Sequence, residues 1–373
     1  MTITRAELAP GYEISRIIKG GWQLAVGHGT VPLPVQAAGS LISDGRGLWT
    51  LDPISAVEDM FAFLKSGITT FDCADIYTGV EELIGEFRKA FLKEHGIIPA
   101  NIWFNQIFRV HTKFVPDLDV LQRISHTYVE SVIDRSRSRL GLDCLDLIQF
   151  HWWDYEIPGY VQTARWLAEL QRKGKIRHIG LTNFDTTRMF EIVSTGIHIV
   201  SNQVQYSLLD PRPENAMVKF CLGHNIKLLC YGTLAGGFIS EKWLGVKEPQ
   251  EPLENRSLTK YKLIIDEFGG WGLFQELLTI LSLIARKHNA SIANIAMRYV
   301  LDKPLVAGII VGARDVMHLD NLEKTFSFEF DREDQKAIYL ILDRSAGPMG
   351  DIYDLERVKG GKHASIIKYT LNK

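Results

Sequence analysis

Cysteine is scarce in this chain: Cys73, Cys144, Cys221 and Cys230 are the only four among 373 residues. They form no CxxC pair and no zinc-ligand spacing, which argues against a metal site and a disulfide framework. Each has an apolar neighbour, so buried thiols in a reducing compartment are expected. An excess of one charge is lacking too. Lys+Arg 42 against Asp+Glu 44 leaves a net charge of −2, which gives no electrostatic reason to bind nucleic acid or an anionic membrane. No apolar run approaches the roughly 18 residues of a membrane span. Met1-Thr2-Ile3-Thr4-Arg5 lacks the charged-then-apolar pattern of a secretory signal, and a cytoplasmic location is expected. GxGxxG at a strand-to-helix turn, the usual dinucleotide fingerprint, is absent as well.

What is present is rhythm. Short apolar runs, Thr69–Asp72, Ile102–His111, Leu145–Phe150, Ile176–Leu181, Ile199–Gln205, Lys227–Tyr231 and Val306–Val311, alternate with amphipathic stretches. Such stretches include Leu121–Leu140, Val161–Arg172, Asn215–Leu222, Phe274–His288 and Arg332–Asp343. This alternation predicts a parallel sheet wrapped by helices, and the strand count favours a (β/α)8 TIM barrel with one strand less clear. The whole chain, 1–373, reads as a single barrel domain. Gly11–Trp22 reads as an N-terminal hairpin plugging the barrel bottom, and Gly27–Gly47 as a loop. Residues 240–272 read as an insertion after the sixth run, with Glu241–Lys262 a solvated loop. The tail, 345–373, is expected over the mouth.

Barrel enzymes gather reactive groups where strands end at their C-terminal side. Here the runs end in Asp72, then Tyr77 five residues on, in His111-Thr112-Lys113, in Gln149-Phe150-His151 and in Thr182-Asn183. The next carries Asn202-Gln203, and the sixth ends Tyr231-Gly232. Singly, each has an ordinary reading: Asp72 as a helix cap, Lys113 as a solvated strand end, His151 as a packed ring beside Trp152 and Trp153. Tyr231 reads as packing and Gly236-Gly237 as a turn. An acid, a phenol, a lysine and a histidine at one mouth have few structural uses together. His111 and His178 read as satisfied polar residues, and Trp22, Trp49, Trp152 and Trp153 as walls of a small-molecule pocket.

Asp72-Cys73-Ala74-Asp75-Ile76-Tyr77, continued by Glu81 to Gly85, resembles the Asp-x-Ala-x-x-Tyr signature of the aldo-keto reductases. Thr112-Lys113, Leu147-Ile148-Gln149-Phe150-His151, Gly180-Leu181-Thr182-Asn183-Phe184, Ser201-Asn202-Gln203 and Gly308–Arg314 extend the resemblance, over roughly residues 12–344. It implies a barrel that binds NADP(H), less often NAD(H), and acts on a small-molecule carbonyl or alcohol. By the same resemblance Tyr77 is the general acid, and Lys113 lowers its pKa from the free value near 10. Asp72 pairs with Lys113, and a neutral His151 orients the substrate oxygen. Asn183 and Gln203, with Thr182 beside them, grip the nicotinamide carboxamide, and Tyr231 stacks on its ring. Gly232, Leu234 and Gly236 lie along the pyrophosphate, Arg314 meets the 2′-phosphate, and Gly312 is a further cofactor contact.

Three stretches depart from the family pattern: Thr78-Gly79-Val80-Glu81 after the tyrosine, Gly232-Thr233-Leu234 after the stacking ring, and Val311 before the last phosphate loop, where the His318–Asn321 spacing also differs. The leading expectation is an NADP(H)-dependent reductase of aldehydes or ketones. An NAD(P)-dependent dehydrogenase of a sugar hemiacetal or alcohol, and a non-catalytic nicotinamide-binding regulatory subunit, are the alternatives. Clustered His and carboxylate ligands for a metal hydrolase are missing. A protein partner is not readable from the chain.

Overall fold

A computed structural model describes residues 3–25, 41–43, 49–95, 107–313, 316–317, 319–369 and 371, with side chains of 41–51 left aside. Two strands near the start, β1 (Arg5–Ala9) and β2 (Tyr12–Ser15), form an antiparallel hairpin. After β3 (Ile17–Gly20), β4 (Leu41–Ser43) and β5 (Trp49–Leu51) make a second small antiparallel pair. Then come β6 (Thr70–Asp72), β7 (Arg109–Phe114), β8 (Leu145–Phe150), β9 (Ile176–Thr182), β10 (Ser201–Gln205), β11 (Lys227–Tyr231) and β12 (Val306–Gly312). β3 and β6 to β12 close an eight-stranded parallel barrel in chain order, with Ile309–Gly312 of β12 registered on Ile17–Gly20 of β3.

Two apolar layers hold it. Outside the barrel, Phe71, Phe87 and Phe108 pack ring to ring at 4.9–5.8 Å between strands and the helix Val80–His95. Each such ring taken out of water contributes about 1.5–3 kcal/mol. Inside, Ile18, Leu147, Leu229 and Ala307 meet Leu8, Tyr12 and Ile14 of the hairpin, which therefore plugs one end. Tyr12 stands with its hydroxyl 3.2 Å from His111 Nε2. The other nitrogen of His111 has no partner, so only half of the expected satisfaction is found. The remaining end is left to polar side chains.

Three expectations need correction. Gly11–Trp22 is not all plug: the hairpin occupies Arg5–Ser15, and Ile17–Gly20 is the missing first barrel strand. At four residues, Ile-Ile-Lys-Gly is too short to stand out as a run. The strand expected at Ile102–His111 runs instead over Arg109–Phe114, because polar side chains turn inward at the mouth while the backbone ladder continues; Ile102–Gln106 lies outside the described residues. The 240–272 insertion follows the seventh barrel strand once β3 is counted, and it contains a helix, Arg256–Phe268. Asn255 caps that helix through Leu258 N, and Leu258, Tyr261, Ile264, Ile265 and Phe268 give it a buried face. Most of the Gly27–Gly47 loop lies outside the described residues. Among those described, no single helix is long and apolar enough to cross a membrane.

Helix Val80–His95 meets helix His126–Leu140 at Gly85, where an added Cβ would stand 2.1 Å from the Arg139 carbonyl oxygen. Gly85→Ala gains about 1 kcal/mol of helix propensity, but the backbone clash costs more. A net loss of about 1–3 kcal/mol is expected, read as a lower urea midpoint. A midpoint that rises instead would show that the two helices separate freely.

Candidate active site

The C-terminal strand ends open into a cavity of about 860 Å³ lined by Asp72, Tyr77, Lys113, His151, Thr182, Asn183, Gln203, Tyr231 and Gly312, among others. The ladder places these residues. Asp72 ends β6 and faces His111 in register, and Lys113 of β7 faces Gln149 of β8. Thr182 ends β9 opposite Gln203 of β10. Tyr77 sits in the turn after β6, fixed by its own N–H donating to Ala74 O and by Val80 N–H donating to its carbonyl.

Asp72 is 3% exposed and accepts three side-chain hydrogen bonds. Its Oδ2 takes Lys113 Nζ at 2.5 Å; Oδ1 takes Gln203 Nε2 at 2.7 Å and Gln149 Nε2 at 2.9 Å. Lys113 donates also to Cys73 O at 2.8 Å. Burial opposes the charge on Lys113, yet the Asp72 carboxylate beside it holds its pKa above the ordinary lysine value. A desolvated charge pair of this kind survives because both carboxylate oxygens and two of the three ammonium protons have partners.

Lys113 Nζ lies 4.8 Å from the Tyr77 ring centroid, and Trp22 packs edge-on against that ring at 5.0 Å. The expected lowering of the Tyr77 pKa is not found. Loss of water at the mouth raises it, and the pull of Lys113 only offsets part of that rise. Tyr77 is thus a protonated donor at neutral pH.

His151 has a fixed tautomer. Its Nδ1 is 3.0 Å from the Thr182 carbonyl oxygen, which can only accept, so Nδ1 carries the proton. Burial, and then the nearby Arg357 guanidinium, push its pKa down to about 3. The ring is therefore neutral, and Nε2, buried without a partner among the described residues, presents a lone pair.

Two amides in the cavity have opposite polarity. Tyr231 donates its hydroxyl to Asn183 Oδ1 at 2.8 Å, leaving the Asn183 N–H groups to donate. Gln203 Nε2 is committed to Asp72 and to Gln149 Oε1, at 2.7 Å each, leaving Gln203 Oε1 to accept. One donor amide beside one acceptor amide matches a primary carboxamide. Leu234 lines the same cavity, as do Gly232 and Gly236. Those two glycines have a packing reason of their own: a Cβ would stand 2.4 Å from Tyr261 Oη at Gly232 and 2.8 Å from the Tyr261 ring at Gly236. Arg314 lies outside the described residues.

Sequence reasoning missed several wall residues. Lys242, Arg256 and Lys260 face the cavity from the insertion, where mixed charge looked like a solvated loop. Arg256 and Lys260 are one helical turn apart, a spacing that a helix assignment would have exposed. Lys260 stands over the Tyr231 ring at 4.8 Å, and burial lowers its pKa. These cations suit a pyrophosphate. Gln149 was noted only as a strand ending. Trp22 and Trp153 do line the cavity, but Trp152 does not. It is fully buried, and its Nε1 donates to Asp154 O and Ile157 O. Just past the end of β8, the Trp152 ring packs on Phe150 and Tyr160, while the His151 ring meets Trp153 and Tyr353. The Trp49 side chain is outside the described set. Tail residues Tyr353, Glu356, Ile367 and Leu371 complete the wall, with the Tyr353 ring 5.6 Å from His151. The four cysteines are free; Cys144 is half-buried and the other three are buried.

The model of the Aldo/keto reductase family matches residues 16–343. The chain is 27% identical over 328 residues to the aldo-keto reductase YhdN of Bacillus subtilis (strain 168), covering 82% of this chain and 92% of that protein. It is also 27% identical over 303 residues to the glyoxal reductase of the same organism, covering 79% and 87%. Among solved structures, a thermostable aldo-keto reductase, Tm1743, crystallised with the inhibitor epalrestat, superposes with a TM-score of 0.64 at 26% identity, covering 91% of this chain and 99% of that one. A glycerol dehydrogenase from Gluconobacter oxydans shares the fold, with a TM-score of 0.69 at 22% identity, over 94% and 98% of the two chains.

The His151 pKa has a direct test. Its folded value, about 3, lies below the roughly 6.5 of an unfolded histidine. The unfolded state then binds more protons between those values, so stability falls as pH drops through that window, by on the order of 1 kcal/mol per pH unit for this ring. NMR of the imidazole should show no titration between pH 5 and 8. A midpoint near 6.5 would mean a charged, donating His151.

Proposed function

The chain belongs to the aldo/keto reductase family and is an NAD(P)H-dependent oxidoreductase, and from that premise we propose that it reduces aldehyde or ketone carbonyls with NADPH, with Tyr77 as proton donor. The observation that carries this reading is the Tyr77 phenol beside the Lys113 ammonium, itself locked on Asp72, at one mouth with His151. A bound nicotinamide supplies the hydride. Tyr77 gives its proton to the carbonyl oxygen as negative charge grows there, and the phenolate left behind is stabilised by Lys113. His151 Nε2, a lone pair, accepts the O–H of the alcohol so formed and fixes its direction. The same contact holds an alcohol for the reverse step, so the geometry serves both directions.

Asn183 and Gln203 together suit the cofactor carboxamide, with Tyr231 against the ring. Lys242, Arg256 and Lys260 suit the pyrophosphate, beside Gly232, Leu234 and Gly236. Arg314, one residue beyond Ala313 after β12, is the group we assign to the 2′-phosphate. Tail residues over His151 make the substrate end of the cavity. A cytoplasmic location agrees with four unpaired thiols.

Replacing the phenol tests the mechanism. Tyr77→Phe should lower kcat for carbonyl reduction by roughly 10² to 10⁴-fold, while NADPH still binds within about twofold of wild type by nicotinamide fluorescence. Full turnover in Tyr77→Phe would remove Tyr77 from the proposed role. The cofactor assignment has its own measurement. Wild type should bind NADPH at least about tenfold more tightly than NADH, and Arg314→Leu should erase that difference by weakening NADPH alone. Equal affinities in the wild type would take Arg314 out of phosphate recognition.

A further inference from the structure

We propose that Gln149 is a positioning residue that sets the hydrogen-bond polarity of the Gln203 amide toward the nicotinamide carboxamide. The inference rests on the nicotinamide reading above. Gln149 is fully buried, in register beside Lys113, and no step of the mechanism uses it. Its Nε2 donates to Asp72 Oδ1 at 2.9 Å, and its Oε1 accepts Gln203 Nε2 at 2.7 Å. Gln203 Nε2 also donates to Asp72 Oδ1, at 2.7 Å.

The three side chains form a closed ring whose direction is chemically forced. The Asp72 carboxylate, paired with Lys113, is an acceptor, so both glutamines must turn an N–H toward it. That fixes Gln149 with its carbonyl toward Gln203. Gln203 has two amide hydrogens, and this ring consumes both. What it offers the cavity is Oε1, an acceptor. Without the Gln149 carbonyl, one Gln203 hydrogen is released, and a buried donor without a partner turns toward the cavity to find one. Gln203 then presents donor and acceptor alike, and it no longer favours a ligand that brings N–H groups.

The test is equilibrium binding, read by nicotinamide and tryptophan fluorescence, of NADPH and of its reduced 3-acetylpyridine analogue. The analogue keeps the carbonyl acceptor and lacks the carboxamide N–H donors. Wild type should bind the analogue about tenfold more weakly than NADPH. Gln149→Met should narrow that ratio to about threefold or less, chiefly by weakening NADPH. A general loosening of the barrel would weaken both ligands and keep the ratio.

Gln149→Glu supplies a variant of the same shape, and carries the test if the methionine variant does not fold. The introduced carboxyl keeps an oxygen toward Gln203 whether or not it is ionised, so it still accepts the Gln203 hydrogen. The NADPH-to-analogue ratio of this variant should therefore stay at the wild-type value, even where overall affinity falls. A folded Gln149→Met with the wild-type ratio, or a Gln149→Glu whose ratio narrows to about threefold or less, overturns the proposal alone. Wild type that binds neither dinucleotide overturns the nicotinamide reading and this inference with it.

Discussion

The carboxylate of Asp72 is the constraint on which the mouth of this barrel depends. A buried carboxylate costs several kcal/mol unless its oxygens are bonded, and here three donors from three different strands converge on it: Lys113 from β7, Gln149 from β8 and Gln203 from β10. Satisfying one charge therefore organises half the ring of strand ends. The same partners fix the ammonium next to Tyr77 and the amide beside Asn183. Below this polar layer the barrel is filled by Ile18, Leu147, Leu229 and Ala307 under the hairpin. That asymmetry decides which end can do chemistry. The plugged end is filled with apolar side chains, and the open end is where dipoles and charges have been fixed in advance.

Much of this was legible in the chain. Strand ends in a parallel barrel must point reactive groups at one mouth, so reading the residues that close each apolar run was enough to find Asp72, Lys113, His151, Thr182 and Tyr231. What failed has a physical cause in each case. Ile17–Gly20 is too short for periodicity to register, and its strand character comes from pairing with β12 and β6, residues hundreds of positions or tens of positions away. The helix Arg256–Phe268 hides behind prolines and mixed charges because its polar face lines a cavity and its apolar face covers the loop at Gly236. Burial is the third case. The family resemblance implies that Lys113 neighbours Tyr77, and the sign of that effect is right; it cannot show that loss of water outweighs the lysine and raises the Tyr77 pKa.

Two late segments wall the cavity at the open mouth, and the tail docks there by burying charge. Arg212 grips Asp210 through Nε at 2.8 Å and Nη2 at 2.7 Å, and meets Glu356 of the tail at 3.3 Å, all three nearly without exposure. A tail held by such a pair docks in one register, since any other leaves ionised groups unpaired in a dry interface. The docked tail then places Tyr353 and Arg357 against the barrel.

Arg357 shows what that docking does for the chemistry. Its guanidinium lies between Tyr155, at 4.1 Å from the ring centroid, and Tyr353, at 5.0 Å, and donates to the carbonyls of Trp152 and Asn183 at 2.9 Å each. Those bonds pin the backbone on either side of the His151–Thr182 contact. Carbonyl dipoles and ring faces hold the cation without cancelling its charge, so its field reaches His151 and opposes an imidazolium there. Burial alone would disfavour the charged ring; the tail adds a second reason. The tail that walls this part of the cavity thereby also keeps His151 an acceptor, which leaves Tyr77 as the one group of the pair with a proton to donate.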